Sequence, residues 1–466
     1  MPDTIPNEGL LDRALRRVSS LWRDMADRVS GPEETSDLAE QMRVCLAARG
    51  GEVSARARAA GLAQSYVAAD AAGRRNFLRT LAGFDSDAQA VALAADALGA
   101  VTDLETRAAA KVRLRRALEP PRLRLLTQFT TIPDGMKFLV DLRADLLQMS
   151  EGDGLLGALE ADMKGLLANW FDVGFLELRR IDWSSPAALL EKLVDYEAVH
   201  RIKTWRDLKN RLDSDRRCYA FFHPRMPEEP LIFVEVALVQ GLADSVQRLL
   251  DQKAPVLDPR DADTAIFYSI NNCQRGLDGI AFGNFLIKRV VDTLSGELRG
   301  LKNFATLSPI PGFARWLAER EQAADDALLN EAEATALRKA AATPTATHPT
   351  AALALLLARR NWPRDPGLNS ALEPILIRLC ARYLLSESGR NPKRARDPVG
   401  HFHLSNGARV ERINWLADTS AKGMTESAGL MVNYLYDPAK IEDHHEAYAG
   451  EGKRAATPAV RKLLKG

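Results

Sequence analysis

Three stretches of the 466-residue chain carry residue types and spacings from which chemistry can be built. The first runs from Gln274 to Asn284, where Gly276, Gly279 and Gly283 separate a β-prone run from a helix-forming one. Glycine lets backbone N–H groups approach a ligand closely, and a helix N-terminus adds about half a positive charge, so such a loop can cradle a phosphate or pyrophosphate. No Gly-Lys-Ser/Thr follows and the GxGxxG spacing is absent, which excludes a P-loop and a Rossmann fingerprint. A tight turn would use the same glycines. In the second stretch, Thr306 to Phe313, Ser308 sits at a strand end ahead of Pro309 and Pro311. Prolines stiffen the exit of the chain, so this serine is either held for chemistry or caps the turn. The third is Gly400-His401-Phe402-His403-Leu404-Ser405-Asn406-Gly407. On a strand His401 and His403 would share a face, the geometry of a metal pair. No carboxylate or cysteine has companion spacing, so one histidine acting as acid or base is the stronger reading, and no metal is expected. His444 and His445 are adjacent and diverge on either a helix or a strand. Cys218 and Cys273 have no histidine at a spacing that suggests a catalytic pair, and a packing role is the reading for Cys273 beside the loop.

These stretches need elements to hold them. Leu11, Leu15, Val18, Trp22, Met25 and Val29 alternate spacings of four and three, which predicts one helix closed by Gly31-Pro32. Ala-rich runs near 55–70 and 88–112, an apolar stripe from Leu139 to Leu147, and a helix from Leu155 to Phe171 follow, with Pro120-Pro121 and Pro133-Asp134-Gly135 as breakers. Residues 1–170 therefore read as an all-helical domain for packing or subunit contact. After Trp170 the texture changes. Phe175–Trp183, Cys218–Phe222, Leu231–Leu238 and Ala265–Ile270 are β-prone, and Leu231–Leu238 is continuous enough for a buried central strand. A helix burying Phe282, Phe285, Leu286, Val290 and Leu294 comes next, then a further strand. Residues 171–466 thus read as α/β or α+β. The Ala/Thr-rich segment 321–358 is expected to be a peripheral helix and a loose connection. A helix near Ile375–Leu385 precedes a basic turn, Gly389 to Pro398, which reads as a solvated loop because it lacks aromatic stacking partners.

Composition narrows the classes. Lys and Arg number 63 against 62 Asp and Glu, a net charge of +1, so no general field draws in nucleic acid or anionic lipid. No run of about eighteen apolar residues predicts a membrane span. Four scattered cysteines with no CxxC pair exclude a zinc ribbon and a dense disulfide framework. With no signal-peptide layout at the start and no peroxisomal tripeptide at the end, a cytoplasmic protein is expected.

Several long motifs, in one order, resemble the malonyl-CoA decarboxylase family: AIFYSINNCQRGLDGIAFGNFLIKRVV, FATLSPIPGF, DPVGHFHLSNGARVERINWLAD and MVNYLYD, supported by AVHRIKTWRDLKNRL and FHPRMPEEPLIFVEVAL. The resemblance implies an α+β chain, with an N-terminal all-helical domain (1–170) used in subunit association and a GNAT-like catalytic domain (171–466). It implies that Asp278, Gly279, Ile280, Ala281, Phe282, Gly283 and Asn284 form the coenzyme A loop. Ser308 and His403 match the family's catalytic serine and histidine, while Ser269 and Tyr436 match other active-site positions. Ala281 stands where some relatives carry Glu, so a glutamate there cannot be essential in this chain. The loop is also an incomplete match to the acetyltransferase pattern. The implied reaction is decarboxylation of malonyl-CoA to acetyl-CoA and carbon dioxide, with no cofactor beyond the coenzyme A of the substrate, in a homo-oligomer (dimer or tetramer) with no nucleic-acid or membrane partner. The alternatives are a GNAT-fold acyl-CoA acyltransferase and a non-catalytic acyl-CoA-binding scaffold.

Overall fold

The computed structural model describes residues 21–25, 37–47, 52–280, 286–345 and 347–465. Up to Trp170 every described element is a helix, from Leu38–Leu46 to Gly154–Trp170. Aspartates start them: the side chains of Asp70, Asp87, Asp103 and Asp153 each accept from the backbone N–H three residues on. Phe77, Leu81, Leu125, Phe129, Phe138, Leu142 and Leu159 fill the core between these helices. Trp22 of the first apolar stripe is buried there and donates its Nε1–H to Pro133 O at 2.9 Å. Leu11, Leu15, Val18, Val29, Gly31 and Pro32 lie outside the described residues. Helix Ala88–Gly99 buries none of its residues and pairs with helix Leu104–Leu118, leaving Leu93 64% and Leu104 86% exposed.

Beyond Phe171 the chain builds one seven-stranded sheet, ordered β1-β2-β3-β4-β5-β7-β6. The strands are β1 Glu177–Ile181, β2 Arg216–His223, β3 Met226–Val239, β4 Thr264–Asn272, β5 Asn303–Thr306, β6 Arg409–Asn414 and β7 Met431–Tyr436. The run from Leu231 to Leu238 is buried throughout, as a central strand covered on both faces requires. Every pair is antiparallel except β4 and β5. A parallel pair needs a crossover, supplied here by helix Leu286–Glu297, which buries Leu286, Ile287, Val290, Val291 and Leu294. Phe282 and Phe285 lie outside the described residues.

Two irregularities shape the sheet at the site. Glu235 pairs with Ser269 but Val236 with Phe267, so Tyr268 is an extra residue that bulges and bends β4. The pairing of β4 with β5 then ends at Phe267 and Thr306. Ser269 and Ser308 lie just past that last pair, where the strands are no longer joined. This strand order, with a bulged β4 parallel to β5 across one helix, makes the second region a mixed α/β sheet domain.

The Ala/Thr-rich segment is not a loose connection. It forms helices Glu331–Ala341 and Pro349–Leu357, the first started by a reciprocal capping box between Asn330 and Glu333. Leu337, Leu353 and Leu356 join the core that holds Trp316 and Leu379, and Arg378 forks onto Glu333 at 2.5 and 2.6 Å. The small side chains that look like low complexity in sequence are what allow this close helix packing. All four cysteines are free and buried. Among the described residues no helix is long and apolar enough to cross a membrane.

Candidate active site

Ser308 leaves β5 and is tied to β7 by two backbone hydrogen bonds, its N–H to Val432 O at 2.9 Å and the Val432 N–H to its own carbonyl at 3.0 Å. His403 comes from helix Pro398–Ser405, so the shared face that a strand would have given His401 and His403 does not arise. The reason lies just upstream: Asp397 caps and Pro398 occupies the first turn, both helix-start signals. Two residues apart on a helix means about 200° around its axis. His403 is buried against Ser308, while His401 is half-buried and meets Tyr448 OH at 2.8 Å. The pair cannot share a metal, and among the described residues no three His, Cys, Asp or Glu side chains converge to hold one.

His403 Nε2 lies 3.0 Å from Ser308 Oγ and Nδ1 lies 2.7 Å from Tyr436 OH. Ser308 Oγ is 2.8 Å from Thr306 Oγ1, which also accepts the Tyr434 N–H. One arrangement uses each proton once: Tyr436 O–H donates to Nδ1, Nε2–H donates to Ser308 Oγ, and Ser308 O–H donates to Thr306 Oγ1. The Tyr434 ring stacks on the imidazole at 4.6 Å. Burial alone pushes His403 down to about 3 and the Tyr436 phenol upward. Among the described residues no carboxylate offsets that burial, so the histidine is neutral. Asp397 links the two segments that carry the dyad. Its carboxylate accepts from Gly400 N at 2.8 Å, Gly312 N at 3.4 Å and Tyr383 OH at 3.3 Å, and burial pushes it up to about 6.

Ser269 is held differently. It donates to Glu197 Oε2 at 2.7 Å and accepts from Asn271 Nδ2 at 2.6 Å. Its one proton is taken by Glu197, which also accepts from Asn271 Nδ2 and from the Val199 and His200 N–H groups.

A cavity of about 940 Å3 gathers Ser269, Ser308 and His403 with Gly279, Ile280 and Leu286. Its rim carries Asn391, Lys393 and Arg394, so the basic turn expected to be only a solvated loop borders the site. A larger cavity, about 1290 Å3 beside helix Pro349–Leu357, holds none of the expected site residues. Of the expected coenzyme A loop, Asp278, Gly279 and Ile280 are described, whereas Ala281, Phe282, Gly283 and Asn284 lie outside the described residues. Gly279 has φ +73°, a conformation suited to glycine. Gly276 serves packing instead, since a Cβ there would sit 1.7 Å from Val140 O of helix Gly135–Met149. From that same helix, buried Arg143 donates to Gly276 O at 2.6 Å and Asp278 O at 3.0 Å and pairs with Glu160 at 2.6 Å. The helical region thus grips the loop directly.

Models of the malonyl-CoA decarboxylase C-terminal and N-terminal domains match residues 174–466 and 84–171. The chain belongs to the malonyl-CoA decarboxylase family. Curated relatives include the mitochondrial malonyl-CoA decarboxylase of Anser anser anser, 40% identical over 73% of this chain and 69% of that one. The Rattus norvegicus protein of the same name is 37% identical over 76% and 73%. Among solved structures, malonyl-CoA decarboxylase from Rhodopseudomonas palustris superposes with TM-score 0.82 at 43% identity, covering 91% of this chain and 98% of that one. The Agrobacterium vitis structure gives 0.81 at 42% identity, over 92% and 99%. These whole-length matches include the helical region as well as the sheet.

Proposed function

We propose that the chain is a carboxy-lyase that decarboxylates malonyl-CoA to acetyl-CoA and carbon dioxide. The observation that carries this reading is a neutral, buried His403 aimed at Ser308 inside one cavity, in a chain of this family. When the bond to the carboxyl carbon breaks, its electron pair moves into the thioester as an enolate and carbon dioxide leaves. A proton from His403 then completes acetyl-CoA, and solvent restores it. Burial keeps His403 neutral, with no anion beside it among the described residues. A bound malonyl carboxylate supplies that charge, raises the imidazole and lets it hold the proton it will deliver. Ser308 and Tyr436 fix the ring from both nitrogens, and Ser308 orients the carboxylate. The thioester is itself the electron sink, so the reaction needs no metal, biotin or pyridoxal, and a chelator should leave the rate unchanged.

In the same reading the chain is a cytoplasmic homo-oligomer. Its four unpaired thiols suit a reducing compartment, and the apolar hairpin of residues 88–118, with Leu93 and Leu104 exposed, suits contact between copies. The deciding experiment incubates the purified chain with malonyl-CoA and no acceptor. Acetyl-CoA and carbon dioxide should form; an acyltransferase or a scaffold would leave malonyl-CoA intact, and that result overturns the proposal.

A further inference from the structure

Among the described residues that line the site cavity there is no Asp or Glu. Its formal charges are Lys393 and Arg394, with the titratable rings of His401, His403 and His445. The lining sorts by exposure. Ser269, Ser308 and His403 are buried, whereas Asn391, Lys393 and Arg394 are exposed, so the cations stand at the mouth and the dyad at the floor. Arg396 of the same turn is engaged by Glu319. No hydrogen bond or ion pair among the described residues occupies the Arg394 guanidinium. Together with burial, its charge holds His401 below the usual histidine range, which places that charge against the cavity wall. Among the described residues the Lys393 ammonium reaches a backbone carbonyl, Gly450 O, at 2.8 Å and no carboxylate.

We propose that Lys393 and Arg394 form an anion subsite for a phosphate of the nucleotide end of the acyl-CoA substrate. This rests on the reading of the cavity as the malonyl-CoA site. A thioester carbon at His403 puts the malonyl carboxylate at the floor as well, and the pantetheine arm carries the phosphates away from it toward the mouth. A phosphate offers several oxygens to the planar fork of arginine and a full charge to lysine. The subsite therefore selects thioesters that carry the nucleotide over those on a bare pantetheine arm, and it weakens with salt because it is exposed.

The test is calorimetric titration of the full chain, wild type and the double variant Lys393→Ala with Arg394→Gln, with coenzyme A, 3′-dephospho-coenzyme A and pantetheine. The variant should bind coenzyme A about fivefold more weakly, the scale of one or two exposed charge pairs, while its pantetheine affinity falls less. If dephospho-coenzyme A follows pantetheine, the bound group is the 3′-phosphate; if it follows coenzyme A, it is the diphosphate. An unchanged affinity for coenzyme A, or an equal loss for pantetheine, overturns the subsite. A melting temperature equal to that of wild type keeps a folding defect out of the comparison. If the wild type binds coenzyme A yet leaves malonyl-CoA intact, the decarboxylase reading fails and the contrast between ligands still judges the subsite.

Discussion

Two buried hydrogen-bond networks face the same cavity and are built on opposite plans. One runs Tyr436–His403–Ser308–Thr306 and contains only neutral groups, with His403 and Ser308 in the middle each giving one proton and receiving one. The other closes around Glu197, whose carboxyl oxygens receive four donors at 2.6 to 2.8 Å from Val199 N, His200 N, Ser269 and Asn271. A buried carboxyl group has to have its oxygens hydrogen-bonded, and meeting that need locks Ser269 in place. The first network keeps a proton on Nε2 beside the cavity. The difference teaches which serine is free for chemistry: both line the cavity, but only Ser308 belongs to a chain through which a proton can shift.

The largest effect that could break this contrast belongs to His403→Asn. Turnover should fall by about 10²–10⁴, the usual cost of losing a general acid, with coenzyme A affinity kept. Steady-state rates beside a binding titration would show it, and wild-type turnover would remove His403 from the chemistry. Exchanging the serines comes next. Ser308→Ala should lower kcat by about tenfold or more, whereas Ser269→Ala should chiefly cost about 1–3 kcal/mol of stability by depriving Glu197 of a donor. If urea unfolding and kcat gave the reverse assignment, the two networks would have to trade roles. Tyr436→Phe, which leaves Nδ1 without its donor, should cost several-fold in kcat with little change in KM.

The smallest effect is on acid stability. His403 titrates near 3 when folded against 6.5 as an ordinary histidine, so below pH 6.5 the unfolded chain gains a proton that the folded chain refuses. Stability from this group falls as pH drops from 6.5 toward 3. Asp397 acts oppositely: raised to about 6 from 3.8, its ionised form costs stability above pH 6, and acidification toward 3.8 relieves that cost. His403→Gln should therefore lose less stability between pH 7 and 5 than wild type, and Asp397→Asn should lose more. Denaturant melts at the two pH values would reveal either slope, and parallel curves would contradict both signs.

Legibility in the sequence followed contact range. Ser308 and His403 stood out because each lies in a contiguous motif, and the β4–helix–β5 unit because its apolar periods switch cleanly. For His401 and His403 the two-residue spacing left the element open, although Asp397-Pro398 just upstream is a helix start. Alanine and threonine in 321–358 hid two packed helices, since small residues leave a faint period. Glu197 and Arg143 carried no readable signal. Their partners lie 72 residues away at Ser269 and 133 away at Gly276, and only the folded sheet brings them together.

The four buried thiols have a consequence for watching the chain open. Burial pushes Cys45 up to about 12 and holds Cys218, Cys273 and Cys380 well above the ordinary thiol range, so the folded chain offers almost no thiolate to an alkylating reagent. Each sulfur is silent until its own neighbourhood opens. Cys45 sits among the N-terminal helices, Cys218 in β2, Cys273 immediately after β4, and Cys380 in helix Pro366–Leu385. Pulses of iodoacetamide followed by peptide mass mapping would turn these sulfurs into four clocks, read without adding any label site, whose order of ticking is the order in which the molecule comes apart.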